Sequence, residues 1–100
     1  MPRISLDSYV VDTLMPDLVG HDRRPAAFIV YLYLSRLAAR SGRDSVSASL
    51  QTIATHTGLS KSTVQAALRH LRGRRLVDPS VMATVTNPAR KVLHPWLRSR

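Results

Sequence analysis

The sequence predicts one mainly α-helical domain, with an extra helix at its N-terminus and a small β-hairpin near its C-terminus. Three observations predict it. A chain of 100 residues with 44% apolar content supports one core and no second domain. Apolar residues recur at helical spacing in four separate segments, each closed by glycine or proline. Past residue 80 the pattern changes to alternation, the period of a strand.

Leu6, Val10, Leu14 and Leu18 make a stripe of spacing four over residues 5–19. Pro16 has no N–H and disfavours helical geometry at the residue before it, so this helix is expected to end or kink near Leu14–Met15. The run Gly20-His21-Asp22-Arg23-Arg24-Pro25 reads as a turn, with Asp22 a candidate N-cap and Pro25 in the first helical turn. A longer helix is expected over Pro25–Arg40. Ala27, Val30, Tyr31, Leu34, Leu37 and Ala38 form its apolar face, and Ser41-Gly42 its C-cap. Ser45-Val46-Ser47 has room only for a strand fragment.

Two short helices follow closely. Ser49 caps the first, Leu50–Thr57, and Gly58 ends it in the left-handed conformation that glycine adopts at least cost. Ser60 caps the second, Lys61–Arg72, with Gly73 past its end. Val81, Ala83 and Val85 then alternate with Met82 and Thr84. Asn87-Pro88 marks a turn, and Arg90–His94 reads as the returning strand.

Charge divides the chain unevenly. The total is +9, yet residues 1–44 carry 6 Arg against 5 Asp. Residues 45–100 carry 9 Lys or Arg against one acid, Asp78, for a net +8. Such a half seeks a polyanion, and nucleic acid is the usual one. Five of its cations (Lys61, Arg69, Arg72, Arg74, Arg75) fall within one helix and its exit.

The geometry of the two short helices sharpens this. Helices crossing steeply need a small residue where they meet, and Ala54 supplies it. At about 100° per residue, Val64, Ala67, Leu68 and Leu71 fall on one inner stripe of the second helix. Ser62, Gln65, Ala66 and Arg69 are left on the opposite face, polar or small as a helix entering a major groove requires.

The pattern Ile53-Ala54, Thr57-Gly58-Leu59-Ser60, Thr63-Val64, Ala67-Leu68, Leu71 and Arg75-Leu76-Val77 resembles the winged helix-turn-helix domains of bacterial regulators. The flanks Tyr31-Leu32-Tyr33-Leu34 and Lys91-Val92-Leu93-His94-Pro95-Trp96 are similar to those of small replication-initiator and phage or plasmid domains. The resemblance covers residues 25–96. It implies a recognition helix at Lys61–Arg72 and a β-hairpin wing after Leu76. Residues 1–24 then form a helical extension, favoured as a dimerisation element, and 97–100 a basic tail.

The resemblance also implies roles. Ser60, Lys61, Ser62 and Thr63 open the recognition helix, where free N–H groups and the helix dipole suit a phosphate. Gln65 and Arg69 have the chemistry for adenine and guanine edges, with Ala66 beside them on the outer face. Arg72, Arg74 and Arg75 meet phosphates, and Arg90 and Lys91 reach the backbone or minor groove from the wing. Asp78, in an apolar stretch where such wings are often basic, departs from this pattern and points to a wing packed on protein.

The expected function is sequence-specific binding of double-stranded DNA by a cytoplasmic, nucleoid-associated bacterial transcription regulator, acting as a homodimer. Two alternatives stay open: a plasmid or phage replication-initiation or maintenance protein, and a winged-helix protein–protein module using Val81–Val85 and the N-terminal stripe. No enzyme, cofactor or membrane span is expected. There is no cysteine, no Gly-rich phosphate loop and no nucleophile beside a base. Asp7, Asp12, Asp17 and Asp22, five apart, scatter around an α-helix and build no metal pair. His21, His56, His70 and His94 lack metal-ligand spacing and are expected as surface or capping residues, with a weak phosphate contact open to His70. Tyr9, Tyr31, Tyr33 and Trp96 are expected to pack in the core, not to serve as stacking platforms for single strands.

Overall fold

The structure, a computed structural model, describes residues 3–81 and 88–97. Its helices are α1 (Pro25–Ser41), α2 (Leu50–Thr57) and α3 (Lys61–Gly73), preceded by an N-terminal helix in two segments, Val10–Leu14 and Pro16–His21. Two short strands, β1 (Ser45–Ser47) and β2 (Ala89–Lys91), pair antiparallel.

Local chemistry explains where α1–α3 begin and end. Ser49 Oγ accepts from the Thr52 N–H at 3.1 Å and Ser60 Oγ from the Thr63 N–H at 3.2 Å, so both caps satisfy otherwise orphaned donors. Gly42 (φ 69°) and Gly58 (φ 79°) close α1 and α2 in the left-handed region. α3 ends differently from expectation. Gly73 is still helical, and the left-handed residue is Arg75 (φ 56°). The Leu76 N–H then closes back onto the Leu71 carbonyl at 2.9 Å, turning the chain into the wing.

The N-terminal helix meets one expectation, a break at Leu14–Met15, and corrects another. Its first segment does end at Leu14, but Met15 keeps helical angles (φ −60°, ψ −57°) and the chain runs on. Pro16 opens the second segment, and the ladder is interrupted where proline has no N–H to give. Both segments are wound in the wider i→i−5 form, as in the bond from the Asp22 N–H to the Asp17 carbonyl at 2.8 Å. Asp22 therefore ends this helix and does not cap α1, whose N-cap, Arg24, makes no side-chain bond.

One hydrophobic core joins all of these elements. Val30, Tyr31 and Leu34 of α1, Ile53 of α2, and Val64, Leu68 and Leu71 of α3 are buried in it. Val10, Leu14 and Leu18 are buried in the same core, while Leu6 is exposed. Three residues of the expected N-terminal stripe are thus spent on the chain's own core and are not free for a partner. Tyr31 is also core: its hydroxyl donates to the Leu93 carbonyl at 2.7 Å, and burial pushes its pKa up. Tyr9 stacks on Trp96 at 4.6 Å and Tyr33 on His56 at 5.7 Å.

Among the described residues the returning strand pairs with residues other than the expected 81–85. Ser45 faces Lys91, Val46 faces Arg90 and Ser47 faces Ala89. On the other side of the returning strand, Val77 bridges Val92, the Asp78 N–H donates to the Lys91 carbonyl, and the Leu93 N–H donates to the Leu76 carbonyl. The outgoing arm is therefore 76–78. Val81 belongs to a turn in which its N–H reaches the Asp78 carbonyl at 3.3 Å, and the rest of the expected 81–85 strand lies outside the described residues. Arms and helices together make a winged helix-turn-helix fold with an added N-terminal helix.

Candidate nucleic-acid interface

Helix α3 presents two faces. At about 100° per residue, Ser62, Ala66 and Arg69 point within about 40° of the direction opposite the buried stripe. Gln65 and Arg72 lie on one flank, Thr63 and His70 on the other. Lys61, Ser62, Gln65 and Arg69 are exposed, and Ala66 and Arg72 partly so. The helix N-terminus keeps its cap closed: Ser60 Oγ also donates to Thr63 Oγ1 at 2.8 Å and lies 3.2 Å from Ser62 Oγ. Arg75 is exposed just past the helix. Lys61, Ser62, Gln65, Ala66, Arg69, Arg72 and Arg75 thus form a basic surface on one helix and its exit.

Two expected residues stand elsewhere. Arg90 is buried, with 7% of its surface exposed, and its Nε donates to the Ala48 carbonyl at 2.9 Å. Burial, and to a lesser degree the charge of Arg72, lowers its pKa. Strand alternation is the reason: in β2 every second residue faces inward, and Arg90 is the inward one. Its neighbour Lys91 is half-buried opposite Ser45. Arg90→Ala is expected to cost about 1–3 kcal/mol in a urea melt, because it orphans the Ala48 carbonyl. The same variant should leave the salt dependence of any nucleic-acid binding unaltered. A reduced salt dependence with intact stability would return Arg90 to the surface.

Arg74 is the second. Its Nη2 is ion-paired with Asp17 Oδ2, and its Nε lies 3.5 Å from Asp22 Oδ2. Asp22 Oδ2 also meets His70 Nε2 at 2.7 Å, and Asp22 Oδ1 meets His21 Nδ1 at 2.8 Å. The Asp22 side chain is only 7% exposed. This network ties the N-terminal helix to the flank of α3 and engages His70, which is therefore not a free phosphate contact. His21 itself stands between two carboxylates, Asp22 next in sequence and Asp17 four residues before it. The winding is the reason the acids converge. Residues five apart diverge on an α-helix but come close to one side in the i→i−5 form. Asp17, His21 and Asp22 bring potential ligand atoms within 4.8 Å of one another, with Arg74 already supplying positive charge there.

The bond from His21, then that from His70, lowers the Asp22 pKa against the opposing effect of burial, with Arg74 adding to the lowering. A lowered folded value means that the contribution of Asp22 to stability is complete above its ordinary value of 3.8. It is lost as pH falls through the folded value. Wild type should therefore lose stability in acid more steeply than Asp22→Asn, compared by urea midpoints at about pH 6 and about pH 3. Parallel curves would remove the carboxylate from the acid response.

Asp78, the acid of the basic half, accepts from the Ser80 N–H at 2.9 Å and from the Ser80 hydroxyl at 2.7 Å. It organises the turn that leaves the first wing arm. Among the described residues no helix is long and apolar enough to cross a membrane.

The sequence profile of the helix-turn-helix domain family matches residues 24–77, which span α1, β1, α2, α3 and the first wing arm. No curated protein and no solved structure matches the chain.

Proposed function

Because the chain belongs to the helix-turn-helix domain family, we propose that it binds double-stranded DNA in a sequence-specific way and regulates transcription. One observation carries this reading. The outward side of α3 is exposed, with Ser62 and Arg69 facing away from the core and Lys61, Gln65, Arg72 and Arg75 beside them, while the inner face is anchored in the core. In this reading α3 enters the major groove, Gln65 and Arg69 read base edges, and Lys61, Arg72 and Arg75 hold phosphates.

The protein acts as a homodimer in the same proposal, since two half-sites one turn apart suit a two-fold assembly. Val11, Met15 and Val19 support it. They form a second stripe on the N-terminal helix that stays exposed after Val10, Leu14 and Leu18 are buried.

Selection of binding sites from a random duplex pool, followed by fluorescence anisotropy across a salt series, tests both parts. The expected result is an enriched palindrome whose half-sites are about 10 base pairs apart, bound with affinity that falls steeply with salt. No enrichment and no binding at low salt would refute DNA binding. An enriched single half-site would refute the dimer alone. Clustered direct repeats would favour a replication or maintenance role over a promoter operator.

A further inference from the structure

Of the five cations on α3 and its exit, one is not offered to solvent as a free charge. Arginine has a side-on fork made of Nε–H and one terminal N–H, the pair of donors that takes a phosphate or carboxylate in bidentate fashion. On Arg74 both arms of that fork face acids: Nη2 meets Asp17 and Nε faces Asp22. The acids come from the N-terminal helix, outside the matched stretch 24–77. Both Arg74 and Asp17 keep about a third of their side-chain surface exposed (34% each), so the pair lies at the surface and can be opened. Asp22 is more deeply set and is held by His21 and His70 as well.

We propose that Asp17, supported by Asp22, occupies on Arg74 the place of a DNA phosphate, so that the N-terminal helix withholds one cation from the DNA-binding surface. This rests on the duplex-binding reading above. An exposed ion pair contributes little to stability, so its effect falls on binding. The withheld contact keeps non-specific affinity down while Gln65 and Arg69, which carry sequence information, are untouched. Asp17 is here a regulatory counter-charge and does not itself meet DNA.

The test is anisotropy with a random-sequence labelled duplex at several NaCl concentrations, on wild type, Asp17→Asn, Arg74→Gln and the double variant. Each phosphate neutralised adds about 0.9 to the slope of log affinity against log salt. Asp17→Asn should steepen the slope by about one and tighten low-salt binding by roughly three-fold or more. Arg74→Gln should keep the wild-type slope. In the Arg74→Gln background, Asp17→Asn should add less than about 0.3 to the slope, since the cation it would free is gone. An unchanged slope in Asp17→Asn, or an equal gain with Arg74 absent, overturns the proposal while leaving DNA binding standing. Wild type that binds no duplex at low salt overturns the DNA reading and this proposal with it. Asp17→Ser gives a second neutral variant with the same expected slope, should Asn perturb the helix, as circular dichroism would reveal.

Discussion

Leu71→Ala is expected to lower the free energy of unfolding by about 2–5 kcal/mol, the largest effect anticipated for a single substitution in this chain. Leu71 is fully buried, with 0% exposure, on the inner stripe of α3 with Val64, Ala67 and Leu68. α3 packs against both α1 and α2, so a cavity at Leu71 opens in the seat of the helix-turn-helix itself. A domain of this size has about 5–15 kcal/mol in total, so the variant should be partly unfolded well below the wild-type midpoint. Its main-chain carbonyl also accepts the Leu76 N–H that turns the chain into the wing, and alanine leaves that bond intact. The loss is therefore one of packing. Urea denaturation measures it, with Arg69→Ala on the outer face of the same helix as a control expected within about 0.5 kcal/mol of wild type. A cost below about 1 kcal/mol for Leu71→Ala would mean that α3 is not seated as described.

Arg69→Ala should then separate reading from holding. Arg69 lies on the outward face, at the position that a helix in the major groove presents to base edges. Its loss is expected to cost about 1–3 kcal/mol of discrimination at one base pair, with other positions unaffected. Arg75→Gln is expected to behave differently. Arg75 stands past the helix in a left-handed backbone position, so its loss should weaken all sequences alike and reduce the salt slope by about one. Selected sites compared by anisotropy distinguish the two patterns. A uniform loss in Arg69→Ala would make it a phosphate contact and shift base reading to Gln65.

The two residues also mark how much of the candidate surface is legible in the sequence. Arg69 occupies the surface expected of it because a helix with one apolar stripe has only one way to face a core, and the rest of its circumference follows by rotation, while Arg75 is exposed in the turn just past the helix. Arg90 and Arg74 do not occupy the surfaces expected of them. Arg90 sits on a strand whose inward positions depend on its register with β1, and that register is set by contacts 42 or more residues away in sequence, as in the Nε bond to the Ala48 carbonyl. Arg74 is adjacent in sequence to Arg75 and has the same chemistry. Its different fate comes from Asp17, 57 residues earlier. A signal for this was present in the five-residue spacing of the acids, but its meaning depended on a helical winding that the sequence pattern did not disclose.

The sequence by itself determined that α1, α2 and α3 form and nearly where, because the caps of α2, the start of α3 and the end of α1 are local. Ser49 and Ser60 satisfy donors three residues away, Gly42 and Gly58 turn the backbone where other residues are strained, and the apolar period orients each helix. It determined the basic outer face of α3 for the same reason. Only the tertiary structure decided which cations on and beyond that face are free, that the wing pairs through 76–78, and that the N-terminal helix spends Val10, Leu14 and Leu18 on its own core. Each of those outcomes is a competition between partners distant in the chain, and such competitions are settled by distance and burial in the folded molecule.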